Sequence, residues 1–95
     1  MNFQIEYTRD ALDDLTDLRA FDRKRIADGI LSNLVHHPTT TSRSRIKKMD
    51  QPFWSEYRLR VDEFRVYYKV DSATQAVAIL RILRKDTEET PKDMP

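Results

Sequence analysis

Three stretches constrain this chain more than anything else in it. Trp54–Val61, Phe64–Val70 and Ala76–Arg84 are rich in β-branched and aromatic residues, and apolar positions alternate with polar or charged ones along them. The gaps between them are short: Asp62-Glu63 suits a tight hairpin turn, and Asp71-Ser72-Ala73-Thr74 a longer one. Strands joined this closely pair with their chain neighbours, so the sequence predicts an antiparallel meander.

Upstream, Phe3, Ile5 and Tyr7 alternate with Asn2, Gln4 and Glu6, the pattern of another half-buried strand. Thr8 offers a capping oxygen to a helix over about residues 9–19, with Leu12, Leu15 and Leu18 at helical spacing and Asp13, Asp14 and Asp17 on its wet side. Asp22 is placed to cap a second helix, whose apolar stripe is Ile26, Ile30, Leu31 and Leu34 until Pro38 stops it. Gly29 lies inside that stripe's span, where it costs up to about 1 kcal/mol relative to Ala, so close packing on the sheet is the expected reason for it. Residues 38–44, PTTTSRS, read as a loop. The order of elements predicts an α+β fold: an N-terminal strand and a helical hairpin packed on an antiparallel sheet of three to four further strands. The patterned segments fill residues 1–85, one domain by length, and residues 86–95 read as a tail.

Composition narrows the functions open to such a fold. Cysteine is absent, which removes disulfides and thiolate metal sites, and no apolar run approaches the roughly 18 residues of a membrane span. A cytoplasmic chain that engages no membrane is expected. His36 and His37 end the second helix, where they suit the negative end of its dipole better than a metal, because adjacent side chains diverge and no third ligand follows. There is no glycine-rich phosphate loop, no Ser/His/Asp signature and no carboxylate pair of glycosidase character, and no metal or cofactor is expected.

The net charge of +1 conceals an asymmetry. Residues 43–69 hold eight basic residues against four acidic ones, whereas residues 1–42 hold five against seven. Alternation sorts the strand residues into two faces. Tyr57, Leu59 and Val61 oppose Glu56, Arg58 and Arg60; Phe64, Val66, Tyr68 and Val70 oppose Arg65, Tyr67 and Lys69; Ala78, Leu80 and Ile82 oppose Ile79, Arg81, Leu83 and Lys85. If the apolar sets meet the helices, the other face collects Arg58, Arg60, Arg65, Tyr67, Lys69, Arg81 and Lys85. A solvated face is the plainer reading, with Glu56 available to one of the arginines. Against it stands the abundance of arginine, whose planar fork matches phosphate and stacks on bases, with Tyr67 as a stacking surface. Trp54 at the strand's start is a second such surface, although a tryptophan there suits the core better than a platform.

At this point the residues resemble a known family. The segment WSEYRLRVDEFRVYYKV, followed by AVAILRILRK and preceded by the basic run RSRIKKM, is similar to the sheet signature of RelE/ParE toxins over roughly residues 1–85. The resemblance implies the toxin of a bacterial type II toxin–antitoxin pair, in a hetero-oligomer with a cognate antitoxin that covers its active surface. In the RelE branch such a toxin is a ribosome-dependent mRNA endonuclease, an mRNA interferase that needs no metal and cuts by attack of a ribose 2′-oxygen on the neighbouring phosphate. In the ParE branch the same fold inhibits DNA gyrase without chemistry of its own.

Carried over by position, the family's basic residues fall on Arg58 and Arg60, on Arg65 after the turn, and on Lys85 or its neighbour Arg84 at the end of the last strand. On the nuclease branch Arg58, Arg60 and Arg65 hold the scissile phosphate, and Lys85, crowded by Arg81 and Arg84, is the candidate base. Arg43, Arg45, Lys47, Lys48, Tyr67, Arg81 and Arg84 bind nucleic acid around them. Two departures keep the ParE branch open. The C-terminal segment DTEETPKDMP lacks the tyrosine usual in RelE nucleases, and arginine stands where lysine is frequent in the first strand; a guanidinium cannot serve as a base. A member that has lost toxicity and persists as half of a complex is a third possibility.

Overall fold

A computed structural model describes residues 2–85 of the chain. The expected tail, Asp86 to Pro95, lies outside the described residues. Five strands and two helices follow one another as β1 (Gln4–Tyr7), α1 (Arg9–Thr16), α2 (Ala20–Leu34), β2 (Ile46–Lys48), β3 (Tyr57–Val61), β4 (Phe64–Asp71) and β5 (Ala76–Arg84). The strands form one sheet in the order β1-β5-β4-β3-β2. The pairs β2–β3, β3–β4 and β4–β5 are antiparallel, as the meander requires, and β1 adds to the β5 edge in parallel, so the sheet is mixed. This is the expected α+β architecture.

Local chemistry explains most of the boundaries. Thr8 caps α1, its Oγ1 accepting from the Ala11 N–H at 3.2 Å. Asp62 takes a φ of 53° in the turn that joins β3 to β4, a conformation that aspartate tolerates better than most residues. The Asp71 carboxylate accepts from the N–H groups of Ala73 and Thr74 and closes the turn into β5.

Four expectations need correction. Asp22 does not cap α2; Arg19 stands at that position, and Asp22, inside the first turn and 1% exposed, binds Arg25 and Arg19 instead. Leu12 and Leu31 are 47% and 57% exposed, because each lies about 100° around its helix from the residue that takes the buried position, Ala11 and Ile30. Asp14 is not on a wet face but turns in to β5. Finally, Val77, Ile79 and Ile82, rather than Ala78, Leu80 and Ile82, bury themselves in β5. A bulge explains the last: Tyr67 pairs Arg81 while Tyr68 pairs Ile79, so Leu80 is an extra residue and the alternation changes phase there.

The core lies between the helices and one face of the sheet. Ala11 from α1 and Ile26, Ile30 and Leu34 from α2 meet Tyr57, Leu59, Phe64, Val66, Tyr68, Val77, Ile79 and Ile82. α1 packs over β5 and β1, and α2 over β3. Gly29 allows the second contact, since a Cβ there would stand 2.9 Å from Val61 Cγ2. Tyr68 is wholly buried and donates its hydroxyl to the Pro38 carbonyl at 2.6 Å, anchoring the loop after α2. Beyond Ile79 no strand among the described residues lies beside that edge of β5, and Thr8 and α1 cover it. There Thr8 donates its hydroxyl to the Leu80 carbonyl at 3.1 Å, and the Asp14 carboxylate accepts from the Ile82 N–H at 2.9 Å.

Candidate functional site

The sheet face turned away from the helices carries the basic residues in rows across the strands. Lys47, Arg58, Tyr67 and Arg81 are successive partners across β2, β3, β4 and β5. In the next row Arg60 pairs with Arg65, and Arg65 with Leu83. Arg60 also donates its N–H to the Arg45 carbonyl at 2.8 Å, which sets the loop ahead of β2 beside that row. Lys85 follows at the end of the sheet, where its N–H donates to the Glu63 carbonyl at 2.7 Å. Alternation puts Lys85 on the side of Arg81 and Leu83.

Among the described residues, Arg58, Arg60 and Arg65 have no carboxylate within ion-pair distance and no side-chain hydrogen bond. Glu56 is spent elsewhere, accepting from the Val70 N–H at 2.9 Å. Burial, then the charges of Arg65 and Arg60, pull the Arg58 guanidinium below its ordinary pKa, with Tyr67 opposing them. The Nε groups of Arg58 and Arg65 are buried donors with no partner among the described residues. Buried donors of this kind cost free energy until an acceptor arrives, and a charged one costs most. The arrangement favours an anion lying across β3 and β4.

Other candidates are placed differently. Arg81 is held by Asp14, with Nε to Oδ2 at 2.7 Å and Nη2 to Oδ1 at 3.0 Å, a bidentate pair that α1 supplies. Arg84 lies over the Phe64 ring at 4.8 Å and reaches Glu63 at 3.5 Å, so it points to the helix side. Neither crowds Lys85 with an uncompensated charge, as the sequence suggested. Arg43, Arg45, Lys47 and Lys48 are all exposed, but only the first three extend the basic surface along β2 and the loop before it; Lys48 pairs with the core residue Tyr57 and so falls on the helix side. Lys48 lies 5.2 Å from the centre of the Tyr57 ring. A shallow groove lined by Ser44, Arg45, Arg60, Val61 and Asp62 connects the loop to the arginine row. A recess lined by Glu6, Glu56, Lys69, Asp71, Ala76 and Ala78 is of mixed charge and lies toward the β4–β5 turn, away from Arg60 and Arg65.

Tyr67 is not an open stacking surface. It is 3% exposed, because the loop between β2 and β3 folds back over it. Trp54 packs on Tyr67 with ring centres 4.9 Å apart, and Phe53 stacks on Trp54 at 5.3 Å. Hydrogen bonds inside the loop hold this pair: Gln51 Nε2 donates to the carbonyls of Met49 and Ser55, and buried Ser55 donates its hydroxyl to the Tyr57 carbonyl at 3.1 Å. Sequence reasoning missed Phe53 altogether; an aromatic pair just ahead of a basic strand was the available signal. The Asp14 partnership had no local signal, since its two residues are 67 positions apart.

No cluster of three metal-ligating side chains occurs among the described residues. No helix among them is long and apolar enough to cross a membrane.

Comparison with known proteins agrees with this architecture. The fold is similar to the RelBE2 toxin–antitoxin complex of Mycobacterium tuberculosis, with a TM-score of 0.76 and 19% identity over 88% of this chain and 99% of that one. It is similar to the RelE–RelB complex of Pyrococcus horikoshii, with a TM-score of 0.64 and 16% identity over 90% and 98%. The isolated RelE toxin of E. coli gives a TM-score of 0.62 and 14% identity over 92% and 88%. No curated protein matches the sequence. A family model described as the ParE toxin of the type II toxin–antitoxin system parDE matches residues 5–88. Through that match and its RelE-like fold, the chain belongs to the RelE/ParE toxins of type II toxin–antitoxin systems.

Proposed function

We propose that this toxin is a ribosome-dependent mRNA endonuclease whose active surface is the outer face of β3 and β4, and that a cognate antitoxin neutralises it. One observation carries the reading: Arg58, Arg60 and Arg65 stand side by side with no acidic partner among the described residues. Three adjacent cations suit a phosphodiester that gains charge as it passes to a five-coordinate state. A ribose 2′-oxygen attacks the adjacent phosphorus, its proton passes to a base, and the 5′-oxygen of the next nucleotide leaves with a proton, giving a 2′,3′-cyclic phosphate. Lys85 is the candidate base on this surface, because guanidinium groups stay protonated. The exposed Arg43, Arg45 and Lys47 bind the flanking strand.

Toxin–antitoxin complexes among the similar structures support an antitoxin partner. The test is primer extension on a defined message during cell-free translation, comparing the protein with its Arg65→Ala variant. Cuts within codons that need both ribosomes and Arg65 support the reading, and intact message overturns it.

A second reading, inhibition of DNA gyrase without chemistry, is favoured by the ParE family match and by the scarcity of bases around the arginines. On that reading the message stays whole, and DNA supercoiling by purified gyrase stops.

A further inference from the structure

The outer face holds a third orphaned donor besides the two guanidinium Nε groups: the indole Nε1 of Trp54, buried and without a partner among the described residues. A fourth, Arg25 Nε, is on the helix side, where the rest of its guanidinium already meets Asp22, Asp62 and Glu63. The remaining three all surround Tyr67. Trp54 packs on its ring, Arg58 is its partner across β3 and β4, and Arg65 is two residues back on the same face. A single phosphate has oxygens enough to accept from several such donors. The indole is also only partly buried and is backed by two aromatic rings, so it is held in place without being wholly covered.

We infer that Trp54 positions the nucleic acid: its N–H shares the phosphate gripped by Arg58 and Arg65, and its ring, braced by Tyr67 and Phe53, is where the adjoining base stacks. The inference rests on the nucleic-acid reading of this face, but not on cleavage. It assigns to Trp54 the stacking role that the buried Tyr67 cannot take.

Trp54 is the chain's one tryptophan, so its emission reports this site alone. The probe is 2′-O-methyl hexauridylate, which cannot be cut, titrated against the intact protein beside an abasic oligonucleotide of equal charge. The expected result is quenching by the first and none by the second, which binds more weakly. In anisotropy with the labelled oligonucleotide, Trp54→Leu loses about fivefold or more in affinity, and Trp54→Phe, which keeps a ring, recovers most of it. Oligonucleotide binding with unchanged emission and equal affinity for Trp54→Leu overturns the inference, as does a failure of the intact protein to bind at all. Uncut message on ribosomes together with base-dependent quenching defeats the nuclease reading and supports this one. The emission titration needs no variant, so a misfolded Trp54→Leu leaves the answer intact.

Discussion

On the helix side of the sheet, Arg25 reaches Asp22 at 2.8 Å, Asp62 at 2.5 Å and Glu63 at 3.4 Å, while Arg84 shares Glu63 and covers Phe64. At the sheet edge Arg81 is clasped by Asp14. Across the sheet, a few residues away in sequence, Arg58, Arg60 and Arg65 face one another with no acid in reach among the described residues. The same side chain thus serves two ends. Where acids from another element meet it, arginine ties that element down; where none does, it waits for an anion from outside. The first face should answer to mutation with lost stability and the second with lost function.

The largest effect expected is on the helix side. Ile30→Ala removes a wholly buried side chain from α2 and lowers stability by about 2–5 kcal/mol in denaturant unfolding. A loss as large from Arg60→Gln would break the comparison. Asp14→Asn comes next: it costs about 1.5–3 kcal/mol, because it weakens a charge-assisted contact to the Ile82 N–H and removes the negative charge that α1 sets against Arg81. Partial exposure of the pair keeps the figure from rising further.

Gly29→Ala sharpens the contrast at the helix–sheet seam. The new methyl meets Val61, whose branched side chain yields little, and the overpacking of about 1–3 kcal/mol outweighs the gain in helix propensity of about 1 kcal/mol. Adding Val61→Ala should recover part of the loss, and a double-mutant cycle measures how much.

A pH series gives the smallest of the helix-side effects. The hydrogen bond from Arg25, outweighing the cost of burial, holds the Asp22 carboxyl below the usual carboxylate range, and Arg19 adds to this. A depressed pKa contributes stability that is present above the unfolded value of about 3.9 and is lost as pH falls through the lower folded value. Tm should therefore drop more steeply below about pH 4 for the native chain than for Asp22→Asn. Parallel curves would remove Asp22 from the account.

The sheet was legible in the sequence because alternation and turn chemistry are local: Asp62-Glu63 and Asp71 fix two hairpins without help from afar. Arg58, Arg60 and Arg65 were placed on one face for the same reason. What escaped was non-local. The bulge at Leu80 shifted the phase of β5, so residues read as core moved outward. Arg81 read as part of the basic face because nothing near it in sequence shows that Asp14 arrives from α1. Tyr67 read as exposed because alternation says which way a side chain points but not what folds over it, and here Phe53 and Trp54 do.

The central claim is that the outer arginines are placed for an external anion and not for the fold. Arg58→Gln tests it in one protein by two readings, thermal unfolding and growth arrest on induction in cells that lack the antitoxin. The account predicts a Tm equal to or above that of the native chain, since a partly buried guanidinium repelled by Arg65 and Arg60 is removed, together with loss of growth arrest. A lowered Tm with growth arrest retained would contradict it, and would make Arg58 a structural residue like Arg25.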